Sequence, residues 1–361
     1  KVDRHRAGSR RWMMRMPEAE PNRFLRYFAW CTAGLTLLLI CSGGMVTSKG
    51  VGLSVPDWPT TFGYNMFFFP FSKWVGGVFF EHTHRLIASV VGFLTIILAF
   101  WLAFSQVAGW IKKLGWVSLG MVILQGVLGG LRVTLMKDQI GIFHACIAQA
   151  FFAMLVVLAL GLSPIWQRLR ATNARQNFRA ISRVAIGITV IIYAQLGLGA
   201  TMRHQHRDLS ILDFPLAYGQ VIPKTDPATI ARINKARDRV ALSDVTAAQI
   251  WLQLVHRFCA LVIGLSIASF WFLVRQKGAP TAPLGGLSTF WLVLVLVQIG
   301  LGGWTILSNK AADIATAHVA VGAITFVTGV AISAIALRLA YVSRAAALGR
   351  AAIPLVEAKA V

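Results

Sequence analysis

Eight apolar stretches dominate this 361-residue chain, near 24–46, 84–106, 114–132, 141–163, 181–202, 250–274, 285–306 and 315–340. Each is long enough to cross roughly 30 Å of hydrocarbon as a helix. The bulk composition agrees: 57% of the residues are hydrophobic and 13% are charged, whereas a soluble domain carries about a quarter charged residues. An ordinary cytosolic globule and a disordered chain are both excluded. The pattern predicts an all-α integral membrane protein with eight transmembrane helices.

The formal charge of +22 suits either nucleic-acid binding or basic loops on a membrane protein, and its distribution separates the two. With the N-terminus inside, the inner segments hold 21 Lys and Arg. The short outer loops hold five: Lys49, Lys73, Arg132, Lys137 and Lys310. The long outer loop 203–248 is a poor voter in the positive-inside rule. Both termini are therefore expected on the cytoplasmic face, and no nucleic-acid partner is expected. The Arg-rich first 23 residues have no apolar core and read as a basic tail. A mitochondrial transit peptide is the rival reading, and Asp3, Glu18 and Glu20 argue against it. Four cysteines without a CxxC exclude a disulfide scaffold and a zinc-ribbon framework.

The chain repeats itself. Glu81-His-Thr-His-Arg-Leu-Ile-Ala aligns with Gln253-Leu-Val-His-Arg-Phe-Cys-Ala, Gln125-Gly-Val-Leu-Gly-Gly with Gln298-Ile-Gly-Leu-Gly-Gly, and His144 with His318, at offsets of 172 to 174. Upstream, Leu53-Ser-Val-Pro-Asp-Trp-Pro aligns with Leu209-Ser-Ile-Leu-Asp-Phe-Pro at an offset of 156, which implies a 16-residue insertion in the second long outer loop. The expected organisation is a basic tail (1–23), a four-helix half (24–163), a basic linker (164–180), a second four-helix half (181–340) and a second tail (341–361). Four spans per half give both halves the same orientation. The expectation is two tandem four-helix bundles related by a pseudo-two-fold along the membrane normal.

His84, His144, His256 and His318 occupy duplicated positions at the outer beginnings of the even-numbered spans. Histidine inside a membrane span is costly and usually functional. Interhelical hydrogen bonding is the plain alternative. One pair per half is what two bis-imidazole heme sites require, with one ring from each of two facing helices. Zinc wants more ligands, and nothing resembles C-x-x-C-H, so any heme is non-covalent. Among the remaining histidines, His5 reads as solvated in the tail and His82, whose counterpart is Leu254, as an interfacial imidazole. His204 and His206 read as outer-loop residues, with a loop metal site as a weak alternative.

The neighbours suit a flat macrocycle. Gly126, Gly129, Gly130, Gly300, Gly302 and Gly303 strip side chains from the third and seventh spans, which close helix packing also explains. Arg85 and Arg257 follow two of the histidines and either snorkel or meet a heme propionate. Glu81 lies three residues before His84 on the same helix face, with Gln253 in its place in the second half. This difference suggests chemistry at the first site only; a solvated outer-edge glutamate is the alternative.

Together these residues resemble the heme A synthase family. The carriers are Glu81-His82-Thr83-His84-Arg85, Gly52-Leu-Ser-Val-Pro-Asp-Trp-Pro-Thr-Thr-Phe-Gly63, Gln125–Gly130, His144, Leu254-Val-His-Arg257 and His318, in order over about residues 24–340. The resemblance implies oxidation of the C8 methyl of heme O to the formyl of heme A for aa3-type oxidases, by two successive hydroxylations and loss of water. It also implies a resident heme b on His256 and His318; Arg85 and Arg257 are the residues expected, from their own positions, as cofactor contacts. Substrate heme O is then expected near His84 and His144, with Glu81 essential. An electron donor such as a quinol or ferredoxin, heme O synthase, oxidase assembly factors and membrane lipid are the implied partners, with a homo-oligomer possible. The implied location is a bacterial plasma membrane. Many bacterial members carry a cysteine pair in the first outer loop; residues 47–80 here contain no cysteine. A di-heme b-type electron carrier and a heme transporter or chaperone are the competing functions.

Overall fold

The computed structural model describes residues 22–169, 178–205, 209–276 and 283–351, with the backbone alone for 345–351. The tail before 22, the linker stretch 170–177, His5, His206 and residues 352–361 lie outside the described residues. Ten α-helices follow in chain order: α1 (Arg23–Ser48), α2 (Gly76–Phe104), α3 (Gly109–Thr134), α4 (Asp138–Gly161), the short α5 (Pro164–Arg168), α6 (Phe178–His204), α7 (Pro227–Asp238), α8 (Ala247–Gln276), α9 (Leu284–Leu307) and α10 (Ala312–Ala351). Eight of them, all but α5 and α7, are long and apolar enough to cross a membrane. This is a multi-pass membrane protein, all-helical among the described residues, which contain no β-strand.

Spans of this kind must satisfy their polar groups internally. Thr32, Thr36, Thr95, Thr189, Thr325 and Thr328 each donate to the carbonyl four residues earlier on their own helix. The one fully buried tryptophan of α9, Trp291, crosses to α10 and donates from Nε1 to the Thr325 carbonyl at 2.9 Å. Apolar side chains at Leu38, Phe93, Phe100, Leu261, Leu265 and Leu296 remain exposed on the outer flanks, where lipid is the solvent.

The packing has two rings. α1 touches α2 and α4, and α3 touches α2 and α4; α6 touches α8 and α10, and α9 touches α8 and α10. The rings meet through α1 on α10, α4 on α6 and α4 on α10. The most apolar stretch of α10 is accordingly 61% buried and that of α4 44%, against 22–28% for α2, α3, α6, α8 and α9. These two helices carry the shared core, with Leu155 and Leu158 of α4 and Ile332 and Ile335 of α10 buried beside Ile181 and Ala185 of α6.

Helix starts differ from the sequence expectation in an informative way. The second span begins at Gly76, eight residues before the expected start at 84. The apolar pattern starts only at 84 because Glu81 and His82 are polar, yet the preceding loop supplies their partners and the helix face shared by Glu81 and His84 extends back through both. His84 and His256 are thus the ninth and tenth residues of α2 and α8, and His144 and His318 the seventh of α4 and α10. At 1.5 Å per residue each lies about 10–15 Å inside its helix rather than at the beginning. His204 ends α6 and is buried, rather than lying in the loop. His82 is fully buried rather than interfacial. It packs against Phe69 and Trp74 with centroids 5.0 and 4.8 Å apart, and its Nδ1 lies 3.2 Å from Thr61 Oγ1.

The two long outer loops fold alike. In the first, Asp57 accepts from the amides of Phe62 and Gly63; in the second, Asp213 accepts from those of Tyr218 and Gly219. Thr61 exchanges backbone bonds with Tyr64, and Ala217 with Gln220. Phe62 and Tyr218 take φ values of 50° and 52°, followed by Gly63 and Gly219 at 77° and 75°, a left-handed pair that makes each turn tight. The insertion in the second loop contains α7, capped by Asp226, whose side chain accepts from the Thr229 amide. Ile230 and Ile233 of α7 pack with Ile211, Val245 and Ile250 into a small separate core.

Candidate functional site

Each of the four duplicated histidines rests on a glycine of a neighbouring helix. A Cβ at Gly43 of α1 would lie 3.0 Å from His84 Cε1, and one at Gly129 of α3 would lie 3.4 Å from His144 Cε1. In the second ring, Gly199 of α6 faces His256 Cε1 at 3.4 Å and Gly302 of α9 faces His318 Cε1 at 3.1 Å. Gly43 and Gly199 are 156 apart, and Gly129 and Gly302 are 173 apart, so the seats are duplicated along with the rings. The six glycines singled out in the sequence divide by role. Gly129 and Gly302 seat histidines, Gly130 and Gly303 lie under Trp58 and Phe214 of the outer loops, and Gly126 and Gly300 have nothing within 4 Å.

The Nδ1 atoms of His84, His144, His256 and His318 are all buried with no hydrogen-bond partner. Four unpaired imidazole nitrogens in one interior are costly, and a group that takes ring lone pairs or protons relieves the cost. The donor set therefore fits a pair of imidazoles around a metal-centred macrocycle in each ring. The glutamines differ between the rings. Gln125 Nε2 donates to the His144 carbonyl at 3.2 Å, whereas its counterpart Gln298 places Nε2 3.3 Å from His318 Nε2 itself. Gln195 of α6 donates to the His256 carbonyl at 2.8 Å. No group of three or more His, Cys, Asp or Glu able to hold a bare metal ion occurs among the described residues.

Loops close the outer end of each ring, and arginines hold them there. Arg85 donates to the carbonyls of Val55, Asp57 and Thr60 and to Glu81 Oε1, the last at 2.8 Å. Arg257 donates to the carbonyls of Asp213 and Leu216 at 2.8 Å each, and its Nε is buried without a partner. Glu81 is 4% exposed, not solvated. Its Oε2 accepts from the Val55 amide at 3.1 Å. Gln253 does the same for the equivalent loop, accepting from the Ile211 amide at 2.7 Å and donating to the Ile211 carbonyl at 3.2 Å. The carboxylate and the amide thus share one mechanical task, and the ion pair with arginine belongs to the first ring alone.

Sequence reasoning missed three residues. Arg132 of α3 lies within electrostatic reach of His84 and His144. Arg203 of α6 does the same for His318 and donates to Gly44 O, Ser48 Oγ and Ala315 O across the seam between the rings. His204 stands beside both arginines. Neither arginine is duplicated: Thr305 stands at the position equivalent to Arg132, and Thr47 at that equivalent to Arg203. The available signal was charge, since both stand at helix ends on the side that the Lys and Arg count assigns to the outside.

The COX15-CtaA family of cytochrome oxidase assembly proteins matches residues 26–330. The chain belongs to that family. Its similarity to curated members runs through most of their length. It is 24% identical over 286 residues to the heme A synthase of Lysinibacillus sphaericus (strain C3-41), covering 78% of this chain and 85% of that protein. The heme A synthase of Geobacillus kaustophilus (strain HTA426) is 25% identical over 309 residues, covering 82% and 86%. That of Shouchella clausii (strain KSM-K16) is 25% identical over 284 residues, covering 76% and 84%. The COX15-CtaA match takes in all four histidines, Glu81 and both outer loops.

Proposed function

We propose that this protein is a heme A synthase of a bacterial plasma membrane, with both termini cytoplasmic, acting on heme O. The observation that carries the reading is the duplicated set of four buried imidazoles, each on a glycine seat and each with an unpartnered Nδ1. The two rings are read as tandem four-helix bundles, residues 24–163 and 181–340, related by a pseudo-two-fold along the membrane normal. The pairing of α1 with α10 and of α6 with α4 supports this, because each contact is the other's image when α1 corresponds to α6 and α4 to α10.

In this reading His256 and His318 hold a resident heme b. When bound, that group supplies one-electron transfer from a donor such as a quinol or ferredoxin. Heme O is the substrate between His84 and His144, which orient its ring so that the C8 methyl meets the reactive position. With O2 as oxidant and two electrons and two protons supplied per cycle, the methyl would be hydroxylated twice, each cycle releasing one water, and loss of water from the resulting diol would leave the formyl group. Glu81 sits one helical turn before His84. Its charge stabilises positive charge developing at the methyl carbon, or takes the proton released there. Trp58 and Phe214, laid over Gly130 and Gly303, close the two outer ends against water. Arg85 and Arg257 serve the site by fixing those loops. Heme O synthase and oxidase assembly factors are the partners this chemistry calls for.

Mass spectrometry of heme extracted after incubation with heme O, reductant and oxygen tests the reading. Heme A is the expected product. Bound heme recovered unchanged after turnover would favour a di-heme electron carrier or a heme carrier instead. The electron carrier needs sites at two depths, and all four histidines lie seven to ten residues into their helices.

A further inference from the structure

Arg132 Nε and His204 Nδ1 are two buried nitrogens that converge on one point and have no hydrogen-bond partner. Both pack against the bare Cα of Gly141 of α4, where a Cβ would come within 2.5 Å of His204 Nδ1 and 3.1 Å of Arg132 Nε, which places the two nitrogens side by side. Arg132 comes from α3 and His204 from the end of α6, so the two rings each contribute one group. Gly52 of the first long loop lets the Arg132 guanidinium pack onto its backbone, its Cβ position being 2.7 Å from Arg132 Nη2. The Arg132 side chain is 16% exposed and its Nη2 is ion-paired with Asp138 Oδ1 at 3.5 Å, so the nitrogen left over is Nε. Arg203, by contrast, has three protein oxygens as acceptors at 2.6–3.2 Å.

A guanidinium whose buried Nε–H is unused, beside an unused imidazole nitrogen, is a receptor for an anionic oxygen acceptor. It lies within electrostatic reach of His84 and His144. We infer that Arg132 and His204 together bind a carboxylate side arm of the tetrapyrrole held between His84 and His144. This rests on the reading of that pair as the substrate site and adds the group by which the substrate is recognised. Thr305 at the position equivalent to Arg132 makes this carboxylate grip specific to the first ring. His204 belongs to the chain's second half, so the first site is completed by a residue from outside its own four helices.

The test is a titration of purified full-length protein, with the resident heme spectrum intact, using heme O and heme O dimethyl ester. Esterification removes the carboxylate charge and leaves the macrocycle. Wild type is expected to bind the free acid about ten-fold or more tightly than the ester. Arg132→Gln is expected to abolish that preference while holding ester affinity within about two-fold, and Arg132→Lys to keep part of it. Gly141→Ala, whose methyl displaces His204 Nδ1 and Arg132 Nε from one another, is expected to weaken the free acid more than the ester. Equal affinity of wild type for the two forms overturns the carboxylate receptor and leaves the substrate site standing. So does an undiminished preference in Arg132→Gln or, if that variant loses the resident spectrum, in Gly141→Ala. Failure of wild type to bind either form overturns the substrate-site reading together with this one.

Discussion

The outer loop of the first ring is clasped to α2 by a carboxylate, and the outer loop of the second ring is clasped to α8 by an amide. Glu81 and Gln253 grip the amides of Val55 and Ile211, residues 156 apart in two loops of the same shape. Since glutamine performs the clasp, holding the loop does not require charge. The charge costs free energy in a buried position and needs Arg85 to offset it. Under the proposed function, a buried carboxylate present in one ring and absent from the other serves a ligand rather than the fold. The arginines extend the same contrast, with Arg132 within electrostatic reach of both histidines of the first pair and Arg203 of His318 alone in the second, from helices that do not correspond.

The largest expected effect separates the two histidine pairs. His256→Ala or His318→Ala should remove the stable b-type absorbance from purified protein. His84→Ala should leave that absorbance and lower heme A formation by about 100-fold or more. Loss of the resident spectrum in His84→Ala alongside a normal spectrum in His256→Ala would reverse the assignment of the rings.

Next in size are the clasps. Arg85→Met strands the buried Glu81 carboxylate and should destabilise by about 3–5 kcal/mol. Arg257→Met strands only the Asp213 and Leu216 carbonyls and should cost about 1–3 kcal/mol. Thermal midpoints in detergent rank the two, and equal losses would mean that the Glu81–Arg85 pair adds nothing to the first clasp.

Smaller again is the effect of filling a seat. Gly302→Ala brings a methyl to 3.1 Å from His318 Cε1, tighter than ordinary contact, and overpacking of this kind costs about 1–3 kcal/mol. Gly199→Ala meets His256 Cε1 at 3.4 Å and should be tolerated. Heme content per protein compares them; a larger loss from Gly199→Ala would count against the seat geometry.

The smallest effect is in the first loop's acid response. Partial burial pushes the Asp57 carboxyl up, but hydrogen bonds from the Gly63 amide, the Thr60 hydroxyl and the Phe62 amide outweigh it and hold the group below its ordinary value. A carboxyl whose folded value is depressed adds stability above its unfolded value, near 3.9, and loses it as pH falls through the lower folded value. Asp57→Asn should therefore narrow the gap between thermal midpoints at pH 6 and pH 3, and an unchanged gap would remove Asp57 from the loop's acid response.

Much of this architecture was legible in the sequence because hydrocarbon imposes a length and a composition on every span. The duplicated Gln-x-x-Leu-Gly-Gly and His-Arg pairs gave the register of one ring on the other. What escaped was whatever depends on a partner from elsewhere in the chain. Glu81 and His82 break the apolar pattern, and only Val55 and Thr61 show how a buried helix start satisfies them, so the apolar stretch begins eight residues after α2 does. His204 reads as a loop histidine because its environment, Arg132 and Gly141, comes from α3 and α4. The insertion of the second loop had no visible purpose, and its α7 forms because Ile230 and Ile233 find Ile211, Val245 and Ile250.

The central claim is that the first ring is the site of chemistry and that Glu81 carries a charge-dependent part of it. Glu81→Gln tests this most directly, because it installs in the first ring the residue the second ring already uses for the same clasp. The variant is expressed, its b-type spectrum is checked, and heme A is measured against heme O in the extract. The account predicts a normal resident spectrum, a thermal midpoint near that of wild type, and heme O oxidation reduced by about 100-fold or more. Wild-type yields of heme A from the variant, or loss of the resident heme with collapse of the fold, would contradict it and leave Glu81 as a structural partner of Arg85.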